Sequence, residues 1–137
     1  MSQLVRMLDT NILSDAIRNP FGVVADTIDK SAKGSLCVSA IVASELRFGA
    51  MRRGSDRLTH LVENSLTRIL ILAYDDQASH HFADIRSVLE NRGTPIGTTD
   101  LFIAAHARSL DLTLVTNNVR EFSRVDGLKI ENWLEEA

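Results

Sequence analysis

Four carboxylates and a pair of amides stand where this 137-residue chain changes character. Asp9 closes the apolar run Leu4-Val5-Arg6-Met7-Leu8, and Asn117-Asn118 close Leu112-Thr113-Leu114-Val115-Thr116, with Glu121 a few residues on. Asp100 opens the nearly all-apolar stretch Leu101 to Ala107, and Glu45 lies beyond Leu36-Cys37-Val38. Each has a bland reading taken singly: Asp9 as a helix cap, Glu45 as a surface acid beside Arg47, Asp100 as a first-turn acid on a helix dipole, Asn118 as a turn cap. Together they would place several acids in one crevice, which is costly unless a cation lies between them. Hard oxygen ligands with no Cys or His nearby select magnesium or manganese. Such a site uses few protein carboxylates and completes its shell with water and substrate phosphate.

The elements that would position these groups follow from periodicity. Short apolar runs at Leu4–Leu8, Ser35–Ser39, Ile69–Ala73, Leu112–Thr116 and Leu128–Glu131 read as strands. Between them, helical spacing is expected over Ile12–Arg18, Gly22–Ala32 and from Ser39 or Ala40 to Arg52, with Ile41, Val42, Leu46 and Phe48 as its apolar positions. Further helices are expected from Asp56 to Arg68, from Asp75-Asp76 to Asn91, and from Thr98 or Thr99, one of which should cap the buried stretch. Alternating strands and helices imply an α/β domain, a mainly parallel central sheet with helices on both faces. Right-handed crossovers bring the strand ends to one edge, where open α/β sheets bind ligands.

Composition narrows the classes. With 45% hydrophobic and 24% charged residues, the chain reads as one globular domain over residues 1–137, with no membrane span or signal peptide and a cytoplasmic location. Cys37 reads as a small buried thiol. The net charge of −3 argues against a nucleic-acid partner until its distribution is considered, since Arg47, Arg52, Arg53 and Arg57 fall in one short stretch. Guanidinium forks suit bidentate phosphate contact, so this stretch either follows a polynucleotide backbone or is a solvated helix end. His80, His81 and His106 fall on helices rather than at strand ends, which gives general acid–base nuclease chemistry little weight. Asp75-Asp76 with Asp9 suggest a phosphoacceptor domain, but the only Lys near the last strand is Lys129, within or at its start.

The order Met7-Leu8-Asp9-Thr10-Asn11, Val38-Ser39 with Ser44-Glu45-Leu46, Gly97-Thr98-Thr99-Asp100 through Ala107, and Leu114-Val115-Thr116-Asn117-Asn118 with Glu121-Phe122 resembles PIN-domain ribonuclease toxins of the VapC type. It is most similar to the enterobacterial-like group and covers essentially the whole chain. The resemblance implies a three-layer PIN-like fold and a toxin of a type II toxin–antitoxin pair. It implies a cognate VapB-type antitoxin that lays a segment, with its own Arg, across the site, and toxin dimerisation through helices within a larger hetero-oligomer. Transfer RNA is the substrate class it implies. Carried over by position, Asp9, Glu45 and Asp100 match the family's metal-binding acids. Asn118 stands where many relatives have Asp and would hold water or orient substrate, with Glu121 partly restoring the charge. Thr10 matches a hydroxyl position that would bond Asp9 or a phosphate.

The chemistry expected is metal-assisted phosphodiester hydrolysis by an in-line water, with Asp9 and Asp100 on the cation and Glu45 as ligand or water-positioning base. The alternative is a catalytically inert PIN-like module that binds protein or RNA.

Overall fold

A computed structural model describes residues 3–134 of the protein; residues 1–2 and 135–137 of the expected domain lie outside the described residues. The elements run β1 (Arg6–Leu8), α1 (Thr10–Arg18), α2 (Val23–Lys30), β2 (Leu36–Ser39), α3 (Ala40–Arg53), α4 (Asp56–Thr67), β3 (Leu70–Leu72), α5 (Asp76–Asn91), α6 (Thr98–Ser109), β4 (Thr113–Val115), α7 (Val119–Phe122) and β5 (Ile130–Glu131). The strands form one parallel sheet in the order β3-β2-β1-β4-β5. Parallel neighbours need crossovers, and the helices supply them, giving three layers with the sheet between. Among the described residues no helix is long and apolar enough to cross a membrane.

Strand β1 is central because its side chains suit burial on both sheet faces: Met7 and Leu8 are wholly buried, as are Leu114 and Val115 on the neighbouring β4. The chain steps outward from β1 to β2 and β3, then returns to the other side of β1 for β4 and β5. The β1–β4 boundary is therefore the topological switch point, the place beyond whose strand ends open α/β sheets bind ligands. Asp9 continues the ladder by one bond, its N–H donating to the Val115 carbonyl at 2.9 Å before α1 begins.

Several element details differ from their sequence expectation. Helix α6 is capped by Gly97 in extended backbone, with no side-chain cap bond, so neither Thr98 nor Thr99 is the cap; both already lie in the first turn. The buried stripe of α3 is Val42, Leu46 and Ala50, spaced one turn apart, which turns Phe48 outward to 63% exposure. The edge strand β3 leaves Leu70 and Ile71 exposed because no further strand covers it.

Candidate active site

Asp9 is delivered by the end of β1 and is only 4% exposed. It is the N-cap of α1, its Oδ1 accepting the Thr10 N–H at 2.8 Å, so the cap reading and the site reading apply to one side chain. Its other oxygen, Oδ2, accepts the Thr116 hydroxyl at 2.7 Å. Thr10 does not direct its hydroxyl to Asp9, as one expectation had it: the hydroxyl donates to Glu45 Oε1 at 2.6 Å and ties α1 to α3. Thr10 is the first residue of α1, so its side chain projects sideways toward α3 while its amide serves the cap.

Asp100 enters from the first turn of α6, and Glu121 from the short α7 after β4. Asn118 lies between them, its amide donating to Glu121 Oε2 at 3.0 Å and to Asp100 Oδ2 at 3.4 Å. The Asn118 backbone N–H donates to the Thr116 hydroxyl at 3.0 Å, so one buried threonine links both halves of the crevice. Asn11 and Asn117 meet at its outer side, at 3.5 Å.

The electrostatics are those of crowded acids. Burial pushes the Asp9 carboxyl above its ordinary range against the hydrogen bonds from Thr116 and Thr10, and the Glu45 charge adds to the rise. Asp100 is pushed up to about 7, by burial first, then by its hydrogen bond with Glu121 and the charges of Asp9, Glu121 and Glu45. Glu121 moves down, chiefly because Asp100 donates to it, with help from Asn118 and Arg124. Of the two, Asp100 is the one whose protonated form the surroundings favour. None of Asp9, Glu45, Asp100 and Glu121 has an ion-pair partner among the described residues. As the side chains lie, no three described His, Cys, Asp or Glu groups form a ready-made ion cage. The donors are all hard oxygens, and each Asp9 oxygen keeps a lone pair beyond its one hydrogen bond.

The arginines divide. Arg47 makes a two-pronged exposed pair with Glu63, at 2.9 and 3.0 Å, and so faces α4 rather than a ligand. Arg52 is exposed at the end of α3. Arg53 and Arg57 line an open groove of about 730 Å³ that starts at Thr10 and Glu45, and Arg18 joins them there. Asp75 and Asp76 are not a phosphoacceptor pair: Asp75 caps α5 through the Ala78 N–H at 3.1 Å, and Asp76 lies in its first turn. His81 accepts from Arg108, and His80 lies near Asp76 on the exposed face of α5.

Thr116 and Arg18 were not expected from the sequence. The one signal for Thr116 was a hydroxyl side chain ending a buried strand beside an acid-bearing one. Thr116→Val keeps the shape but strips Asp9 Oδ2 of its donor and the Asn118 N–H of its acceptor. It is expected to lower stability by about 1 to 3 kcal/mol in urea unfolding. Unchanged stability would show that the bridge is dispensable.

Comparison with known proteins agrees with this geometry. The PIN-domain family model matches residues 6–128. The chain is 41% identical over 128 residues to the tRNA(fMet)-specific endonuclease VapC of Shigella flexneri, covering 93% of this chain and 96% of that one. It is 41% identical over 129 residues to ribonuclease VapC2 of Haemophilus influenzae, covering 93% and 97%. Among solved structures, a DNA-bound VapBC from Salmonella typhimurium superposes with a TM-score of 0.90 at 39% identity, covering 96% of this chain and 99% of that one. A sheet that gathers Asp9, Glu45, Asp100 and Glu121 at its switch point, and this degree of likeness over nearly the whole chain, lead to one assignment: the chain belongs to the PIN-domain family, among the VapC ribonucleases.

Proposed function

We propose that the chain is a cation-dependent endoribonuclease toxin that hydrolyses transfer RNA, with magnesium as its cation and manganese able to replace it. The observation that carries this reading is the meeting of Asp9, Glu45, Asp100 and Glu121 with no ion-pair partner among the described residues, crowded so that burial and the neighbouring acids push Asp100 up to about 7. Acids held this way fit a divalent ion, and Asp9, Asp100 and Glu45 would hold it. A bound divalent cation there supplies charge stabilisation at a phosphate and makes a water more acidic.

The chain's own residues do the rest. Asp9 is fixed by two donors, so it is pre-oriented for the ion. Thr10 anchors one oxygen of Glu45 and leaves the other to orient water. Asn118 donates to both acids, holding Asp100 and Glu121 together. Glu121, held below its ordinary range, would stay charged beside Asp100, and Asp100 would have to give up its proton to serve as a ligand. An inert binding module would have no need of this arrangement.

Arg53 and Arg57, with Arg18, are proposed to carry the RNA backbone along the groove that begins at Glu45. Arg53→Ala and Arg57→Ala should each raise KM, leave kcat near its original value, and reduce the salt slope of binding by about 0.7 per lost phosphate contact. Arg47→Ala, whose side chain is committed to Glu63, should leave both nearly unchanged. Equal effects from all three would remove the groove from the substrate path.

Similar solved structures are described as DNA-bound VapBC, one of them on a fragment of its own promoter. A VapB-type antitoxin is accordingly the partner proposed here, with a toxin homodimer inside a hetero-oligomer and a cytoplasmic setting. Expression of this chain alone in cells, followed by mapping of new RNA 5′ ends, tests the activity. Discrete cuts in transfer RNA are expected, absent in Asp9→Asn; identical RNA in both would contradict the reading.

A further inference from the structure

Ser39 and His106 are buried polar residues that the chemistry above leaves unused, 0% and 1% exposed. Ser39 ends β2 and caps α3, its Oγ accepting the Ile41 N–H at 3.1 Å. The same Oγ lies 2.8 Å from His106 Nδ1 on α6. Burial holds the imidazole below its usual pKa, so it is neutral, and the ring also faces the Ala73 carbonyl, which calls for a proton on the far nitrogen. Nδ1 is then bare and accepts the Ser39 hydroxyl proton, while the Ser39 lone pair serves the cap. Both groups are satisfied, and the edge of Tyr74 packs on the ring with centroids 5.6 Å apart.

This bond lies between the two helices that carry acids from outside the strand ends. Glu45 is within two turns of Ser39 along α3, and Asp100 is within two turns of His106 along α6. Helices α3 and α6 pack on each other, and the i→i−4 hydrogen bonds of a helix couple each turn to the next. We infer that the Ser39–His106 bond is a positioning bridge: by tying the start of α3 to the last turn of α6 it sets the separation of Glu45 from Asp100, and so the site's grip on a divalent cation. The inference rests on the reading of the acids as a cation site. Neither residue touches the reacting atoms; both act through Glu45 and Asp100.

The test is a thermal-shift titration of the full chain with magnesium alone, alongside kcat for RNA cleavage. His106→Ala and Ser39→Ala should each raise the half-saturating magnesium concentration, and lower kcat, on the order of tenfold, as loss of groups behind metal ligands does. In magnesium half-saturation the double variant should fall short of the sum of the singles, because the Ser39–His106 bond is common to both, although Ser39→Ala also removes the α3 cap. His106→Asn, which restores an acceptor near Nδ1, should recover most of the loss and also covers the event that His106→Ala does not fold. A merely structural role predicts a lower Tm with and without magnesium but unchanged half-saturation and kcat, and that result overturns the inference while the site reading stands. A wild-type chain with no magnesium response overturns both.

Discussion

Asp100→Asn is expected to reduce RNA cleavage on the order of 10² to 10³-fold while making the cation-free protein more stable at neutral pH. The two effects share one cause. The Asp100 carboxyl is raised from 3.8 to about 7 by burial, by its contact with Glu121, and by the charges around it. A carboxyl that binds its proton more tightly folded than unfolded favours the folded state fully below its unfolded pKa, and that contribution disappears as pH rises through the folded value. The cation-free wild type should therefore lose stability between about pH 4 and pH 7 on this account, with Asp9 acting in the same direction. An amide at position 100 keeps an acceptor for Asn118 and donates to Glu121 as the shared proton does, without any charge to lose. With the partly solvated setting discounted, the gain at pH 7.5 in EDTA should be about 1 to 2 kcal/mol. Denaturation across pH for both proteins reads it directly, and a parallel pH dependence would disprove the shared-proton description.

Phe122→Ala is expected to lower stability by about 3 to 5 kcal/mol, with a fall in Tm of roughly 10 °C or more. Phe122 is 0% exposed and among the bulkiest wholly buried side chains. It sits in a helix of only four residues, too short to persist by its own hydrogen bonds, so its burial is what fixes α7. Glu121 is its immediate neighbour, and Asn118 is the N-cap residue of the same helix. The substitution should thus also loosen the Asn118–Glu121 contact. In the variants that remain folded, cleavage should fall below what the folded fraction alone explains. A loss of less than about 1 kcal/mol would mean that the site is held by other contacts.

Legibility in the sequence followed how local each feature is. Met7-Leu8 and Leu114-Val115 announced buried parallel strands because both faces are covered, and Asp9 and Asn118 were visible as the residues that end them. Asp100 showed itself at the start of a helix whose Leu101, Ile103 and Ala104 are buried nearly all round. What stayed hidden depends on distant partners. Thr116 meets Asp9 across 107 positions of chain, and Arg47 is withdrawn from the groove by Glu63 on another helix. Arg18 joins Arg53 and Arg57 only because α1 packs beside α3 and α4. Phe48 was misplaced for a different reason: the buried stripe at Val42, Leu46 and Ala50 is completed by a small residue that hydrophobicity alone ranks below phenylalanine.

The central claim is that Asp9, Glu45 and Asp100 hold a divalent cation and direct water, not a ribose hydroxyl, at the phosphate. End-group analysis of transfer RNA cut by the purified chain tests it most directly. The account predicts 5′-phosphate and 3′-hydroxyl ends, formed with magnesium or manganese and lost with EDTA or in Asp9→Asn. Cyclic 2′,3′-phosphate ends, or cleavage that persists in EDTA, would contradict it.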